Sequence, residues 1–110
     1  MLANISTLRN AIRERRLVKI ECGPKWKFIL EPYVLFYHPA NQFTLNGYTW
    51  ASDPVANIKG SRDFLVGHIM SVELLDPTYD LPQLEYFDRN WTEVRIDCDV
   101  YCGTMAALPA

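Results

Sequence analysis

The feature that most limits the fold of this chain is that one helical segment precedes a series of short strand-like segments. In residues 4–16, apolar side chains recur at helical spacing, and Asn4 or Ser6 can cap the helix. From residue 17 the period becomes that of a strand, and turn signals follow about every 8–12 residues. The pattern predicts a mainly β, α+β fold in which the helix leads into a small, strongly bent barrel of about five strands over residues 17–76.

The predicted strands are residues 17–22, 25–38, 42–51, 62–69 and 70–75. Pro32 removes a hydrogen-bond donor from the second strand, so we expect that strand to bend or break at Glu31–Pro32. Gly67 and His68 separate the last two strands.

Beyond Pro82 the character of the sequence changes, so residues 1–82 form the predicted domain and residues 83–110 a C-terminal extension. The extension has one or two helical turns near 83–89 and a strand-like pattern over 91–100. That strand either completes the barrel or pairs with a second chain.

Length and composition point to a single folded domain. The chain has 110 residues, of which 49% are apolar and 13% aromatic. This content is too high for a disordered chain, and the length is too short for two domains, a repeat array or a large enzyme.

The net charge of −2 hides an uneven distribution. Residues 1–27 hold seven Lys or Arg against two acids, and residues 73–99 hold eight acids against two Arg. Such asymmetry indicates either a basic surface for anions with an acidic tail that competes for it, or two ordinary solvated faces.

Cysteine usage and the absence of targeting signals favour a cytoplasmic protein. No apolar run approaches a membrane span, and the N-terminus lacks the pattern of a secretory signal. Three cysteines cannot all pair within one chain. A zinc site from Cys22, Cys98, Cys102 and either His38 or His68 has suitable ligands but scattered spacing, so we predict no metal and no cofactor.

The sequence offers little catalytic machinery. It contains no GxSxG, no HExxH and no glycine-rich phosphate loop. His38 and His68 have no evident nucleophile or paired acid to work with, so the chain is not expected to be an enzyme.

Five motifs follow one another in a distinctive order: Leu8-Arg9-Asn10-Ala11-Ile12, Val18-Lys19-Ile20, Glu31-Pro32-Tyr33-Val34-Leu35, Gln42-Phe43-Thr44-Leu45, and the run from Arg62 to Ile69. Their order and spacing over residues 8–80 resemble the WYL domain of bacterial regulators. Phe43 and Thr44 stand where the name-giving Trp and Tyr would be. Other departures are His68 for Arg, Gly67 for Asp, Phe28 for Arg and Cys22 for Tyr.

The resemblance implies a barrel similar to Sm and SH3 folds that senses nucleotides or single-stranded nucleic acid on one sheet face. Members of this family are usually fused to a DNA-binding region. The seven residues before Leu8 leave no room for one, so the resemblance implies a DNA-binding partner protein. Separately, the lack of an apolar run long enough for a membrane span predicts no membrane association.

Nucleotide binding requires a cation for phosphate and flat side chains for bases. The predicted ligand-binding residues are Arg62, His68, Thr44, Tyr48 and Lys27. The aromatic side chains also suit core packing. The alternative function is therefore a structural or oligomerisation module without a small-molecule ligand, in which barrel edges or the 91–100 strand pair with another subunit to give a homo-oligomer.

Overall fold

A computed structural model of the chain describes residues 2–37, 42–53, 59–80 and 95–100. One helix precedes six strands: α1 (Leu2–Glu14), β1 (Arg16–Cys22), β2 (Trp26–Tyr37), β3 (Phe43–Asp53), β4 (Gly60–Leu65), β5 (Ile69–Thr78) and β6 (Arg95–Asp99). A 3₁₀ turn, Val66–His68, joins β4 to β5. The predicted mainly β, α+β class is confirmed. Residues 38–41, where the second predicted strand gives way to the third, and the predicted helical turns at 83–89 lie outside the described residues.

All six strands belong to one antiparallel sheet. Five follow the order β4-β3-β2-β1-β5, and β6 pairs with β2. Two strands pair with the same edge of β2, since residues 26–30 pair with β1 and residues 34–37 pair with β6. The strand of the C-terminal extension therefore joins the sheet of its own chain.

Pro32 lies between the two pairings of this edge. Proline has no N–H to donate to a neighbouring strand, and the Pro32 carbonyl accepts a hydrogen bond from the Tyr79 hydroxyl. On the other edge of β2, the register with β3 shifts between Pro32 and Val34, which leaves Tyr33 as an extra residue. The irregularity predicted at Glu31–Pro32 is thus a bulge in a continuous strand.

The sheet is strongly curved. The rings of Phe28 and Phe64 are in edge contact with centroids 5.0 Å apart. On β3, Phe28 is paired with Ser52 and Phe64 is paired with Leu45. These two partners are seven positions apart along β3. In a flat sheet those positions would be roughly 20 Å apart, so the face that carries both rings is concave. Among the described residues, no pairing between β4 and β5 closes the sheet.

Helix α1 packs on the sheet through its predicted apolar stripe, since Leu8, Ala11 and Ile12 are fully buried. The helix begins and ends two residues earlier than predicted. Asn4 therefore lies inside the helix, where its side-chain amide donates to the carbonyl of Ile69 instead of capping. The helix ends because Arg15 adopts a φ of 53°, which cannot continue an α-helix.

The basic and acidic parts of the chain contact each other. Arg9 makes a two-point ion pair with Asp97 of β6, at 2.9 and 3.0 Å. Arg16, predicted as part of the helix, is the first residue of β1 and pairs with Asp76 at 3.3 Å. Part of the basic and acidic charge is therefore paired within the chain.

Within the described residues, no helix is long and apolar enough to cross a membrane.

Candidate functional site

The concave face carries a cluster of three aromatic side chains and one cation, which we call the aromatic ledge. Its members are Trp26, Phe28, Phe64 and Arg62. The Trp26 and Phe28 rings are nearly parallel, 5.8 Å apart and inclined by 7°. The guanidinium carbon of Arg62 lies 5.7 Å from the centre of the Phe28 ring. Phe28 and Phe64 are buried, whereas Trp26 is 37% exposed and Arg62 is exposed.

Strand alternation and sheet curvature together build the ledge. Trp26 and Phe28 are two positions apart on β2 and share a face, as do Arg62 and Phe64 on β4. The curvature then brings the β2 pair and the β4 pair into contact, although β3 lies between their strands.

The ledge combines a flat, accessible indole with a cation. This pairing is typical of surfaces that hold single-stranded nucleic acid, in which bases stack on aromatic rings and cations meet the phosphates. None of the described acidic residues forms an ion pair with Arg62. Its guanidinium therefore keeps hydrogen-bonding capacity toward an external anion.

Thr44 and Tyr48 lie on the opposite, convex face. Gly47 is paired with Arg62 and Tyr48 with Ser61, so alternation turns the Tyr48 side chain away from that of Arg62. Thr44 shares the face of Tyr48 and is only 1% exposed, and its hydroxyl donates to the Gln42 carbonyl at 3.0 Å. The structure does not bring these two predicted residues together with Arg62.

Lys27 also projects away from the ledge, because it alternates with Trp26 and Phe28 along β2. With Lys19 of β1 it lines an open cavity of about 330 Å³, whose wall also includes Ile29 and Asp53. Both lysines have acidic cross-strand partners, Glu21 and Asp53 for Lys27 and Glu73 for Lys19, so this surface carries both signs of charge.

His68 is exposed in the 3₁₀ turn and lines two adjoining cavities. One contains Phe43, and the other contains Cys22 and Met70. Burial raises the pKa of the Cys22 thiol, which keeps it protonated near neutral pH. Among the described residues, no group of three or more His, Cys, Asp or Glu side chains is placed to hold a metal ion.

Sequence reasoning missed the buried carboxylate of Glu31, which is 1% exposed. It accepts hydrogen bonds from the Tyr33 hydroxyl at 2.5 Å and from the Trp50 indole nitrogen at 2.6 Å. Both donors are the extra residues of register shifts between β2 and β3. The available signal was a single acid inside an apolar strand, because buried charges are normally paired.

No match was found for the chain in comparisons with protein-family models, with curated proteins or with solved structures.

Proposed function

We propose that this chain is a non-enzymatic ligand-sensing domain of WYL type that binds a nucleotide or single-stranded nucleic acid. The observation that carries the proposal is the exposed Trp26 indole stacked on Phe28, with the Arg62 guanidinium beside the same ring. In this proposal the domain is cytoplasmic and acts through a DNA-binding partner protein.

A small barrel is the finer form of the fold in this proposal. The outer strands β4 and β5 are four strand spacings apart along the sheet, which is roughly 19 Å if the sheet is flat. The 3₁₀ turn that joins them has three residues and spans only about 6 Å. A turn this short can join β4 to β5 when the sheet curls until these two outer strands approach each other.

The ligand would be held in two ways. A base stacks on the exposed face of Trp26, which contributes about 1–3 kcal/mol for each stacked base. A phosphate oxygen accepts hydrogen bonds from Arg62, whose planar guanidinium suits two-point contact. The buried Phe28 ring contacts both Trp26 and Arg62, so both groups are oriented before the ligand arrives.

The test is a titration of the protein with short single-stranded DNA, single-stranded RNA and cyclic dinucleotides at several salt concentrations, followed by tryptophan fluorescence. We expect Arg62→Ala to weaken binding about tenfold or more and to reduce the slope of log affinity against log salt by about one. Trp26→Ala should cost about 1–3 kcal/mol of binding free energy.

Arg13→Ala is the matched control, because Arg13 is an exposed arginine on α1, away from the ledge. It should leave affinity nearly unchanged. If nothing binds at low salt, or if binding survives both Arg62→Ala and Trp26→Ala, the proposal is wrong.

A further inference from the structure

A second set of flat side chains forms a row across three strands. Arg95 of β6 is paired with Tyr37 of β2, which is paired with Phe43 of β3. The Arg95 guanidinium carbon lies 4.4 Å from the centre of the Tyr37 ring. The Tyr37 and Phe43 rings are stacked, with centroids 4.6 Å apart and planes inclined by 24°.

The row ends at Phe43 because the next strand has ended. Leu65, the last residue of β4, is paired with Thr44, and the chain then leaves the sheet in the 3₁₀ turn. An open cavity of about 280 Å³ lies at this position. Its lining residues are Gln42, Phe43, Leu65, Val66, Gly67 and His68.

The direction of the stack turns Phe43 toward this cavity. Adjacent strands lie about 4.8 Å apart, and the Tyr37–Phe43 centroid distance is nearly the same, so the rings face each other along the line that crosses the strands. The Phe43 face that is not covered by Tyr37 is directed to the β4 side. We propose that this cavity binds one nucleobase, which stacks on Phe43 as the next layer after Arg95 and Tyr37.

The remaining lining residues suit a flat ring with a polar edge. Leu65 and Val66 supply apolar surface, while the exposed Gln42 amide and His68 imidazole offer donors and acceptors to the edge of a base. Gly67 adds no side chain to the lining, and a Cβ built there meets no atom within 4 Å. The choice of a nucleobase rests on the proposed function, and it adds a base-binding site apart from the aromatic ledge.

The experiment uses the four common nucleosides, which carry no phosphate, and follows the backbone amide resonances of the protein by NMR. We expect shifts centred on Gln42, Leu65, Gly67 and His68. Gly67→Leu adds a bulky side chain at the lining of the cavity, with room for its Cβ, and it should weaken nucleoside binding at least tenfold. Phe43→Leu removes the stacking ring and should weaken binding about fivefold or more.

Met70→Leu is the control, because Met70 lines only the neighbouring cavity that shares Gly67 and His68. It should bind nucleosides like the parent chain. Gly67→Ala adds a smaller side chain than Gly67→Leu, so its loss of nucleoside affinity should be intermediate between the parent chain and Gly67→Leu. Dispersed amide spectra of each variant confirm that the fold is kept.

The outcomes separate this inference from the proposed function. In one outcome, oligonucleotide binding depends on Arg62 and Trp26, the Gly67→Leu and Phe43→Leu variants bind oligonucleotides normally, and nucleosides cause no shifts. The base site is then overturned and the proposed function stands. In another outcome, Gly67→Leu abolishes nucleoside binding, whereas Arg62→Ala leaves oligonucleotide binding unchanged. The base site then stands, and ligand binding at the aromatic ledge is overturned. If neither class binds, both are overturned.

Discussion

At the scale of single residues, Gly47 is the position at which β2 and β3 leave no room for a side chain. A Cβ there would lie 2.4 Å from the carbonyl oxygen of Glu31 and 2.5 Å from Cδ1 of Leu30. The first of these atoms belongs to the backbone, so it cannot move without disturbing the sheet beside the bulge at Tyr33.

We therefore expect Gly47→Ala to lower the free energy of unfolding by about 1–3 kcal/mol, the usual cost of overpacking. Urea denaturation monitored by circular dichroism measures the change. Gly67→Ala is the matched control, because its Cβ meets nothing within 4 Å, and its midpoint should stay close to that of the parent chain. Equal midpoints for both variants would show that the sheet accommodates a methyl group at position 47.

Glu31 and Trp50 show what residue-level reasoning from the sequence leaves out. Strict alternation along β3 places Trp50 on the face of Thr44 and Tyr48, and nothing in that pattern links it to an acid in β2. Two register shifts make Trp50 and Tyr33 the extra residues, and both then donate to Glu31. A bulge depends on the register in which two strands pair, which the local sequence of either strand does not encode.

At the scale of elements, the local pattern was sufficient for most of the fold. The helix and the first five strands were predicted within a few residues, because each has an apolar period or a glycine or proline boundary of its own. The break at Gly67–His68 corresponds to the 3₁₀ turn between β4 and β5. The partner of β6 was left open, since pairing with β2 joins residues about sixty positions apart in sequence.

The helix anchors β6 through Arg9, and the hydrogen bond to Asp97 raises the pKa of Arg9 above its usual value. The Arg9 and Asp97 side chains are 39% and 20% exposed, so we expect about 0.2–1 kcal/mol from this pair. Arg9→Gln should therefore speed amide hydrogen exchange in Arg95–Asp99 by up to about fivefold, as measured by mass spectrometry.

Arg13→Gln is the control on the same helix, because Arg13 is exposed and forms no ion pair with any described residue. Exchange in β6 should then match that of the parent chain. If Arg9→Gln and Arg13→Gln behave alike, backbone pairing with β2 holds β6 without help from the ion pair.

At the scale of the whole molecule, the uneven charge has at least a partly internal explanation. Arg9 and Arg16 pair with Asp97 and Asp76, and the guanidinium of Arg15 donates to the backbone carbonyl of Asp80 at 2.5 Å. These contacts tie the basic first part of the chain to acidic positions far along the sequence. Arg62 lies apart from these contacts and is better placed for an external anion.

This arrangement predicts that salt weakens the fold as well as ligand binding. Exposed ion pairs are screened as the Debye length falls from about 30 Å at 0.01 M salt to about 3 Å at 1 M. The free energy of unfolding should therefore decrease by up to about 1 kcal/mol over this range, mainly as the partly exposed Arg9–Asp97 pair loses its attraction, since Asp76 is fully exposed. Urea denaturation at each salt concentration gives the slope.

The double variant Arg9→Gln/Arg16→Gln should lose most of this salt dependence, because it removes the Arg9–Asp97 pair together with both pairs of Arg16, to Glu14 and to Asp76. Arg13→Gln removes the same type of charge without removing a pair, so it should retain the slope of the parent chain together with any general effect of salt on apolar burial. A slope that is the same in the parent chain and the double variant would mean that these pairs do not govern it. The uneven charge would then make no measurable contribution to the stability of the fold.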